Sequence, residues 1–226
     1  MLALVGSGEY LPPIEAVDRQ LASRLPGAAR VVCLPTAAGT EGAERIRYWA
    51  DLGVEHFTRL GFPVQSLPVI DRPSADDPAL AEIISQANFI YLSGGRPDYL
   101  YNTLHGSLAW QAIRGVLESG GLLAGCSAGA MVLGEKFFGF PGWKAAFNLL
   151  PGVTIIPHYD EIPEFMLKSV RLLVRGRLVV IGVEANTALL VDDGRYEVLG
   201  GGGVTVWAQD GKVRYTQGGI PLNRLE

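Results

Sequence analysis

Residues 121–131, GLLAGCSAGAM, decide the fold because an apolar run leads directly into a turn of small residues. A strand that is apolar on both faces is typical of a parallel sheet covered by helices. The pentapeptide GCSAG (125–129) then matches the G-x-S-x-G pattern, in which a strained strand-to-helix turn holds the middle side chain above the sheet. The following segment, AGAMVLGEKF, is compatible with the required helix. The sequence therefore predicts a strand, a tight turn at Ser127 and a helix.

Cys126 and Ser127 are adjacent, and either side chain is chemically able to attack a carbonyl carbon. The pattern places Ser127 at the middle of the turn, whereas Cys126 belongs to the end of the strand and is expected to point into the core. A free cysteine usually behaves as a small buried hydrophobic residue. Ser127 is therefore the predicted nucleophile, and the alternative is a tight turn with a purely structural role.

Short apolar runs and helical patterns alternate along most of the chain. The other predicted strands are 2–6, 29–36, 62–69, 88–95 and 176–183, and the predicted helices are 14–25, 41–60, 77–87, 107–119 and 162–175. This alternation predicts an α/β fold with a doubly wound, mostly parallel sheet and helices on both faces. Ligands bind at the carboxyl ends of the strands in such sheets, so functional residues are expected just after strands.

The last part of the chain has a different pattern. Residues 187–219 alternate apolar and polar side chains and contain two Asp-Gly pairs, at 193–194 and 210–211, which are hairpin signals. We expect antiparallel strands at one edge of the sheet. The glycine run 200–203 predicts a turn or bulge.

The composition is that of a globular protein that does not bind nucleic acid. The 226 residues are 48% hydrophobic and 19% charged, without a composition break, which predicts a single domain over residues 1–226. A net charge of −4 gives no electrostatic reason to expect nucleic acid or an anionic membrane as partner. Two cysteines are too few for a disulfide framework, and no apolar stretch reaches the ~20 residues of a membrane span, so a cytoplasmic location is expected.

A serine nucleophile needs a base, and the chain contains three histidines. His56 lies in a helical stretch and is expected at the surface or at a helix end, and His105 precedes a glycine at a predicted helix end. His158, in VTIIPHYDEIP, directly follows an apolar strand and a proline, which is where this architecture places an active-site base. His158 is therefore the predicted base, and a structural histidine is the alternative.

A glycine pair after another strand is a candidate for the oxyanion hole. In YLSGGRPDYL (91–100), Gly94 and Gly95 let backbone amides approach a substrate oxygen without obstruction by side chains. We expect the second donor to be the Ala128 amide. An ordinary strand-to-helix turn is the alternative.

Four motifs in this order and spacing, YLSGGRPDYL, AGCSAGAM, IIPHYD and GVEANTALLV, resemble the serine peptidases of the dipeptidase E and cyanophycinase family. The resemblance runs from about residue 2 to about residue 207. It implies a class I glutamine amidotransferase-like fold, Ser127 as nucleophile, His158 as base, and Gly95 and Ala128 as oxyanion donors. It further implies hydrolysis through an acyl-enzyme with no metal and no other cofactor. The amidotransferases themselves have cysteine where this chain has Ser127, which argues against glutaminase chemistry.

The sequence leaves open which carboxylate would be the third member of a catalytic triad, because relatives commonly have DEDTA where this chain has EANTA (184–188). The glutamate of the family therefore falls on Ala185. Glu184 is the first candidate, Asp160 and Glu135 are the others, and a dyad without a carboxylate also stays open.

The segment after His158 bears on the substrate. Cyanophycinases carry several arginines there, whereas this chain has Asp160, Glu161 and Glu164, which argues against cyanophycin as substrate. The acidic residues could bind a substrate amino group or could form the solvated first turn of a helix. A cation for an acidic substrate could come from Lys168, Arg171 or Arg96, and Glu9 and Asp98 are further candidates for binding a free N-terminus.

The leading prediction is a serine-type peptidase that cleaves small peptides or related amides. The alternative is a catalytically weakened or inactive homologue that acts as a small-molecule binding or regulatory domain. The aromatic-rich segment 134–147 is expected to contact a second subunit in a homodimer, to cover the active site or to pack in the core.

Overall fold

A computed structural model describes residues 1–139, 141–163, 178–208 and 211–221. The strands are β1 (Leu2–Val5), β2 (Val31–Leu34), β3 (Val64–Ser66), β4 (Phe89–Leu92), β5 (Leu122–Cys126), β6 (Lys136–Gly139), β7 (Gly142–Ala145), β8 (Val153–Ile156), β9 (Val179–Val183), β10 (Thr187–Asp192), β11 (Arg195–Gly200), β12 (Val204–Ala208), β13 (Gly211–Tyr215) and β14 (Gly218–Ile220). The α-helices are α1 (Glu15–Ser23), α2 (Ala43–Arg59), α3 (Arg72–Ala75), α4 (Pro78–Ser85), α5 (Pro97–Leu104), α6 (Leu108–Glu118) and α7 (Ala128–Met131). Short 3₁₀ helices span Pro12–Ile14, Thr36–Ala38 and Tyr159–Glu161.

The centre of the fold is an eight-stranded sheet in the order β14-β11-β10-β1-β5-β4-β2-β3. The five strands from β1 to β3 in this order are parallel, and the other three add on antiparallel at one edge. This confirms the predicted α/β fold with a mostly parallel sheet. Val5 pairs with Cys126 and Leu92 pairs with Gly125, so the loops after β1, β4 and β5 leave the sheet side by side.

The two faces of the sheet are buried under different helices, because successive side chains of a strand point to opposite faces. Leu4 faces the side that α4, α5, α6 and α7 cover. Ala3 and Val5 face the other side, where α1 and α2 pack with Tyr91 and Phe57. Helices on both faces are what the alternating pattern predicted.

A second sheet, in the order β13-β12-β9-β8, was not predicted. The predicted strand 176–183 lies in this sheet as β9, and only the β10–β11 part of the tail joins the edge of the main sheet together with β14. The chain changes sheets through the glycine run, where Gly200 has φ 109° and a Cβ on Gly202 would lie 2.5 Å from Thr187 Oγ1. Gly200 and Gly202 are therefore needed because the backbone there passes too close to the start of β10 for side chains.

The hairpin between β10 and β11 follows the prediction from its Asp-Gly pair. Asp193 and Gly194 have φ of 45° and 72°, the left-handed conformation of a two-residue hairpin turn. Strands β12 and β13 pair antiparallel with Ala208 opposite Gly211, and Asp210 of the second Asp-Gly pair lies outside the described residues.

The helix predicted after the Ser127 turn is shorter than expected. Helix α7 ends at Met131, and residues 136–145 form the antiparallel hairpin β6–β7 instead. A Cβ on Gly134 would lie 2.6 Å from the Val153 carbonyl oxygen, so the chain at that point passes close to β8 and leaves no space to extend the helix.

The aromatic residues of this segment have different environments. Phe137 is buried, and Phe147 stacks on Trp110 with ring centroids 3.6 Å apart. Phe138 and Trp143 are exposed and contact each other edge to face. Phe140, the predicted helix 162–175 and the residues Glu164, Lys168 and Arg171 lie outside the described residues, apart from the first two positions of that helix. Within the described ranges, no helix combines the length and the apolar character needed to cross a bilayer.

Candidate active site

Ser127 occupies a strained turn between β5 and α7. Its backbone has φ 51° and ψ −111°, a conformation that residues other than glycine rarely adopt. Such a conformation persists where the surrounding structure imposes it. A Cβ on Gly125 would lie 2.3 Å from the Gly129 carbonyl oxygen, and one on Gly129 would lie 2.4 Å from the Leu92 carbonyl oxygen. Both glycines of the pentapeptide are thus required for the turn to close against β4.

Cys126 points away from Ser127 into the protein, as expected. It is fully buried, and its thiol donates a hydrogen bond to Glu9 Oε2 at 3.0 Å. Burial, with the nearby Glu9 carboxylate as a second cause, holds the pKa of Cys126 well above its ordinary value. A thiol that stays protonated and shielded is a poor nucleophile.

His158 lies beside Ser127, with its Nε2 atom 3.1 Å from Ser127 Oγ. It follows β8 and has a left-handed backbone, with φ 51° and ψ 35°. The next residue, Tyr159, anchors this turn: its hydroxyl accepts a hydrogen bond from Trp207 Nε1 at 2.7 Å, and its ring lies against Gly182, where a Cβ would come within 2.2 Å. The second sheet therefore holds the imidazole in place.

The other two histidines have different contacts. His56 is fully buried in α2, and its Nε2 contacts Asp18 Oδ2 at 2.7 Å, so it is a core residue and not the surface or helix-end residue that its helical context indicated. His105 ends α5 and stacks on Tyr101 with centroids 4.9 Å apart. In the part of the chain that the structure describes, His158 is the histidine that contacts Ser127.

The glycine loop after β4 lies directly against Ser127. A Cβ on Gly94 would be 3.4 Å from Ser127 Cβ. Gly95 has φ 138°, and a Cβ there would lie 2.6 Å from the Ala37 carbonyl oxygen. Among the described residues, no acceptor takes the amide hydrogen of Gly95 or Ala128. Both amides therefore lack a protein acceptor in the described structure, as the oxyanion-hole prediction requires.

Glu161 is the carboxylate that contacts the other ring nitrogen of His158. Its Oε1 lies 3.3 Å from Nδ1, three residues along the 3₁₀ turn. The Glu161 side chain is 65% exposed, so solvent screens its charge. The sequence named Glu161 in the acidic group after His158 but not as its partner, although the spacing of three residues is a signal that could have identified it.

Glu184, the first candidate for that position, contacts a different residue. Both of its carboxylate oxygens accept hydrogen bonds from Arg214, each at 2.6 Å, across the second sheet. The hydrogen bonds from Arg214 hold the pKa of Glu184 below its ordinary value. The prediction that Glu184 is the first candidate for the partner of His158 is therefore corrected. Its side chain extends from the end of β9 toward Arg214 on β13.

The remaining candidates also have other partners. Asp160 is exposed, and its Oδ1 accepts the amide hydrogen of Ala185 at 2.8 Å. Glu135 accepts the amide hydrogen of Gly152 at 2.8 Å, in the turn before β8. Each carboxylate stabilises a loop near the site, and neither contacts the imidazole in the described structure.

The predicted substrate contacts lie at different depths. Arg96 follows Gly95 and is 57% exposed, and its guanidinium lies 3.4 Å from Asp98. Asp98 also accepts a hydrogen bond from Lys144 of the β6–β7 hairpin at 3.2 Å. Burial raises the pKa of Asp98, but the hydrogen bond and the charge of Lys144 outweigh it, so the net pKa is lowered. Arg96 and Lys144 therefore form a cationic rim beside the glycine loop.

Glu9 differs from the other predicted contacts because it is 7% exposed and lies behind the turn. Its two oxygens accept hydrogen bonds from Gly94 and Cys126, which corrects the expectation that it faces substrate. Within the described ranges, no group of three or more His, Cys, Asp or Glu side chains is arranged to hold a metal ion.

If the protein hydrolyses peptides as its sequence predicts, Glu161→Gln is expected to lower that rate by about 1.4- to fivefold, because solvent-exposed charge pairs are worth about 0.2–1 kcal/mol. Glu184→Gln is expected to leave the rate unchanged, since its partner is Arg214. Rates of both variants against wild type provide the measurement. A loss of about 10⁴-fold in either variant, the size expected when a buried triad carboxylate loses its charge, would contradict this assignment.

The fold and the site together define a class: α/β proteins that hold a serine on a strand-to-helix turn beside a histidine from a neighbouring loop. The model of peptidase family S51 matches residues 2–199 of this chain. The chain belongs to peptidase family S51.

Relatives and solved structures agree with this family. The cyanophycinases of Synechococcus elongatus and Thermosynechococcus vestitus are each 28% identical over 156 residues, which cover 63% of this chain and 48% of each relative. This chain thus spans about half the length of these relatives.

Two solved structures share the fold. A peptidase from an acI-B1 actinobacterium is 35% identical, with a TM-score of 0.87 over 97% of this chain and 95% of that one. A peptidase E-type protein from Listeria monocytogenes EGD-e is 19% identical, with a TM-score of 0.65 over 88% of this chain and 97% of that one, and this second likeness concerns the fold alone.

Proposed function

We propose that this protein is a serine-type peptidase that cleaves small peptides or related amides through an acyl-enzyme on Ser127. The observation that carries the proposal is the 3.1 Å contact between Ser127 Oγ and His158 Nε2 at a strained turn. Membership of peptidase family S51 supports it. The turn would act as a nucleophile elbow, in which the backbone strain keeps the hydroxyl clear of the helix that follows.

In the first half of the reaction, Ser127 Oγ attacks the carbonyl carbon while His158 Nε2 accepts its proton. The negative charge on the carbonyl oxygen would be stabilised by the amides of Gly95 and Ala128. Collapse of the tetrahedral intermediate breaks the C–N bond, and the imidazolium returns the proton to the leaving amine. Water then attacks the ester carbonyl carbon while His158 Nε2 accepts one of its protons. The bond to Ser127 Oγ breaks, the imidazolium returns that proton to Oγ, and the acid is released.

For the substrate, we propose a short peptide with a negatively charged group that approaches Arg96. This guanidinium is exposed and follows the proposed oxyanion donor Gly95, while Lys144 adds a second cation to the same rim. The segment after His158 begins with the acidic residues Asp160 and Glu161, where the resemblance implies that cyanophycinases carry arginines suited to the acidic backbone of cyanophycin. We therefore propose small acidic peptides in preference to cyanophycin.

A second candidate function is a weakened or inactive homologue that binds a small molecule. The observation that favours it is the exposed position of Glu161, because a buried carboxylate partner for His158 is absent from the described residues. Retained binding of peptides by a protein that neither hydrolyses them nor reacts with a fluorophosphonate would support this alternative.

Hydrolysis of a defined peptide panel tests the proposal. We suggest dipeptides with aspartate, alanine, lysine or arginine at the first position, their N-acetylated forms, and cyanophycin, with amine release as the readout. Turnover of a free acidic dipeptide that Arg96→Gln slows through a higher KM is the expected result. Absence of turnover across the panel, with a folded protein, would count against a peptidase.

Cys126→Ser separates the two possible nucleophiles of the GCSAG turn. The serine hydroxyl can still donate to Glu9 Oε2, so we expect hydrolysis within about threefold of wild type, because the residue is buried and protonated. The rate of the variant, and its sensitivity to iodoacetamide compared with wild type, provide the check. Complete loss of activity in a folded Cys126→Ser protein would contradict Ser127 as the nucleophile and indicate Cys126 instead.

A further inference from the structure

Glu9 is a buried carboxylate that the proposed chemistry does not use. It lies in the turn after β1, and in the described structure no Lys, Arg or His side chain lies within 4.0 Å of it. A buried carboxylate without an ion pair is costly by several kcal/mol unless hydrogen bonds satisfy it. Its hydrogen bonds therefore show what this position does.

The two oxygens of Glu9 join the two loops that meet at Ser127. Oε1 accepts the amide hydrogen of Gly94 at 2.9 Å, and Oε2 accepts the thiol hydrogen of Cys126 at 3.0 Å. Gly94 directly precedes Gly95, and Cys126 directly precedes Ser127. One carboxylate thus bridges the residues that come just before a proposed oxyanion donor and just before the proposed nucleophile.

The glycine loop is held by backbone hydrogen bonds on both sides of Gly95. The Gly94 amide points inward to Glu9, and the Arg96 amide points inward to the Ala37 carbonyl oxygen at 2.9 Å. The amide between them, on Gly95, has no acceptor among the described residues. The amides on both sides of Gly95 are therefore hydrogen-bonded to the protein body, and the Gly95 amide between them is left without a partner in the described structure.

From this geometry we infer that Glu9 is a positioning residue for the oxyanion hole, which orients the Gly95 amide and keeps it in register with Ser127. The inference rests on the proposed function. Glu9 is buried, and the contacts of its two oxygens are with Gly94 and Cys126, so we assign it no contact with the reacting atoms. Its effect should therefore appear in the chemical step, where charge develops on the carbonyl oxygen, and not in ground-state binding.

The experiment measures inactivation by an alkyl fluorophosphonate, separated into kinact and KI, in wild type, Glu9→Gln, Glu9→Asp and Glu9→Leu. The phosphoryl oxygen of this probe occupies the oxyanion position, and the probe has no amino group that a carboxylate could bind. Glutamine keeps an oxygen for the Gly94 amide, aspartate keeps the charge but is too short to bridge both loops, and leucine keeps the approximate size without an acceptor.

We expect Glu9→Gln to retain kinact within about fivefold of wild type, and Glu9→Leu to lose about 10- to 100-fold in kinact with KI unchanged. The loss of one oxyanion donor costs about 10²–10³-fold, which sets the upper limit for misplacing one. Glu9→Asp should fall below Glu9→Gln. If Glu9→Leu fails to fold, the kinact values of the two polar variants still test the inference. A role that depends on the negative charge alone predicts the opposite order, with Glu9→Asp above Glu9→Gln.

Asp18 provides matched controls, because it is a second carboxylate buried on the same face of the sheet and contacts His56 instead of the loops. Asp18→Asn and Asp18→Leu should lower the thermal unfolding midpoint while leaving kinact at the wild-type value. A kinact of Glu9→Leu equal to wild type overturns the role of Glu9 alone. Wild-type protein that does not react with the probe overturns the proposed function, and this inference with it.

Discussion

Replacing Ser127 by alanine is expected to reduce peptide hydrolysis by about 10⁴- to 10⁶-fold, because removal of the nucleophile of a serine hydrolase leaves only the contributions of binding and of the oxyanion hole. The variant should fold as wild type does, since alanine fits the turn as well as serine and Ser127 makes no cap hydrogen bond. Amine release from the best substrate of the panel measures the effect.

The control for this variant is the substrate affinity. The Gly95 and Ala128 amides are not changed by the substitution, so the alanine variant should bind substrate with a Kd close to the wild-type KM. A Ser127→Ala protein that hydrolyses the substrate at one tenth of the wild-type rate or faster would show that another group attacks the carbonyl.

Replacing His158 by alanine is expected to cost about as much as replacing Ser127, on the order of 10⁴- to 10⁶-fold, because the hydroxyl then lacks its proton acceptor. The contact between Nε2 and Ser127 Oγ is the physical basis of this expectation. The double variant Ser127→Ala/His158→Ala should be no slower than either single variant, because the two residues act as one unit. Rates of hydrolysis for the three proteins measure this non-additivity.

His105→Ala is the matched control, since His105 caps the end of α5 and stacks on Tyr101 away from the hydrogen bonds of Ser127. Its rate should stay within about twofold of wild type. Additive losses in the double variant, or a His158→Ala protein with nearly full activity, would place the base elsewhere in the chain.

The sequence predicted those parts of the site that depend on local pattern. The GCSAG frame after an apolar strand indicated the turn at Ser127, and the position of His158 just after another strand indicated a residue at the same edge. The first inference works because Ser127 follows the carboxyl end of β5 in the parallel sheet, whereas His158 follows β8 of the second sheet and reaches Ser127 from there. The assignment of Cys126 to the core followed from the alternation of side chains along a strand.

The parts that the sequence could not predict depend on contacts between distant segments. Glu9 meets Gly94 and Cys126 across 85 and 117 residues of chain, and no local pattern encodes such a bridge. The contact between His158 and Glu161 depends on a left-handed backbone at the histidine, which is not a sequence motif. Glu184 is one residue away from the family's glutamate position, which falls on Ala185 here, and its carboxylate accepts hydrogen bonds from Arg214, thirty residues later.

The second sheet illustrates the same limit for the fold. The strands β9 and β12 have apolar runs like those of the main sheet. Such a run predicts a strand but not the strand with which it pairs, so the sequence did not separate the two sheets. The glycine run 200–203 marked the break in the chain, but its consequence, a change from one sheet to the other, follows from the close approach of Gly202 to Thr187.

The most direct test of the central claim is to locate the adduct after treating native protein with a fluorophosphonate. Intact-protein mass should show one phosphonyl group per chain, and tandem mass spectrometry should place it on Ser127, in the peptide that also contains Cys126. Labelling should disappear in His158→Ala and persist in His105→Ala. An adduct on any other residue, or labelling of His158→Ala at the wild-type rate, would contradict a serine activated by this histidine.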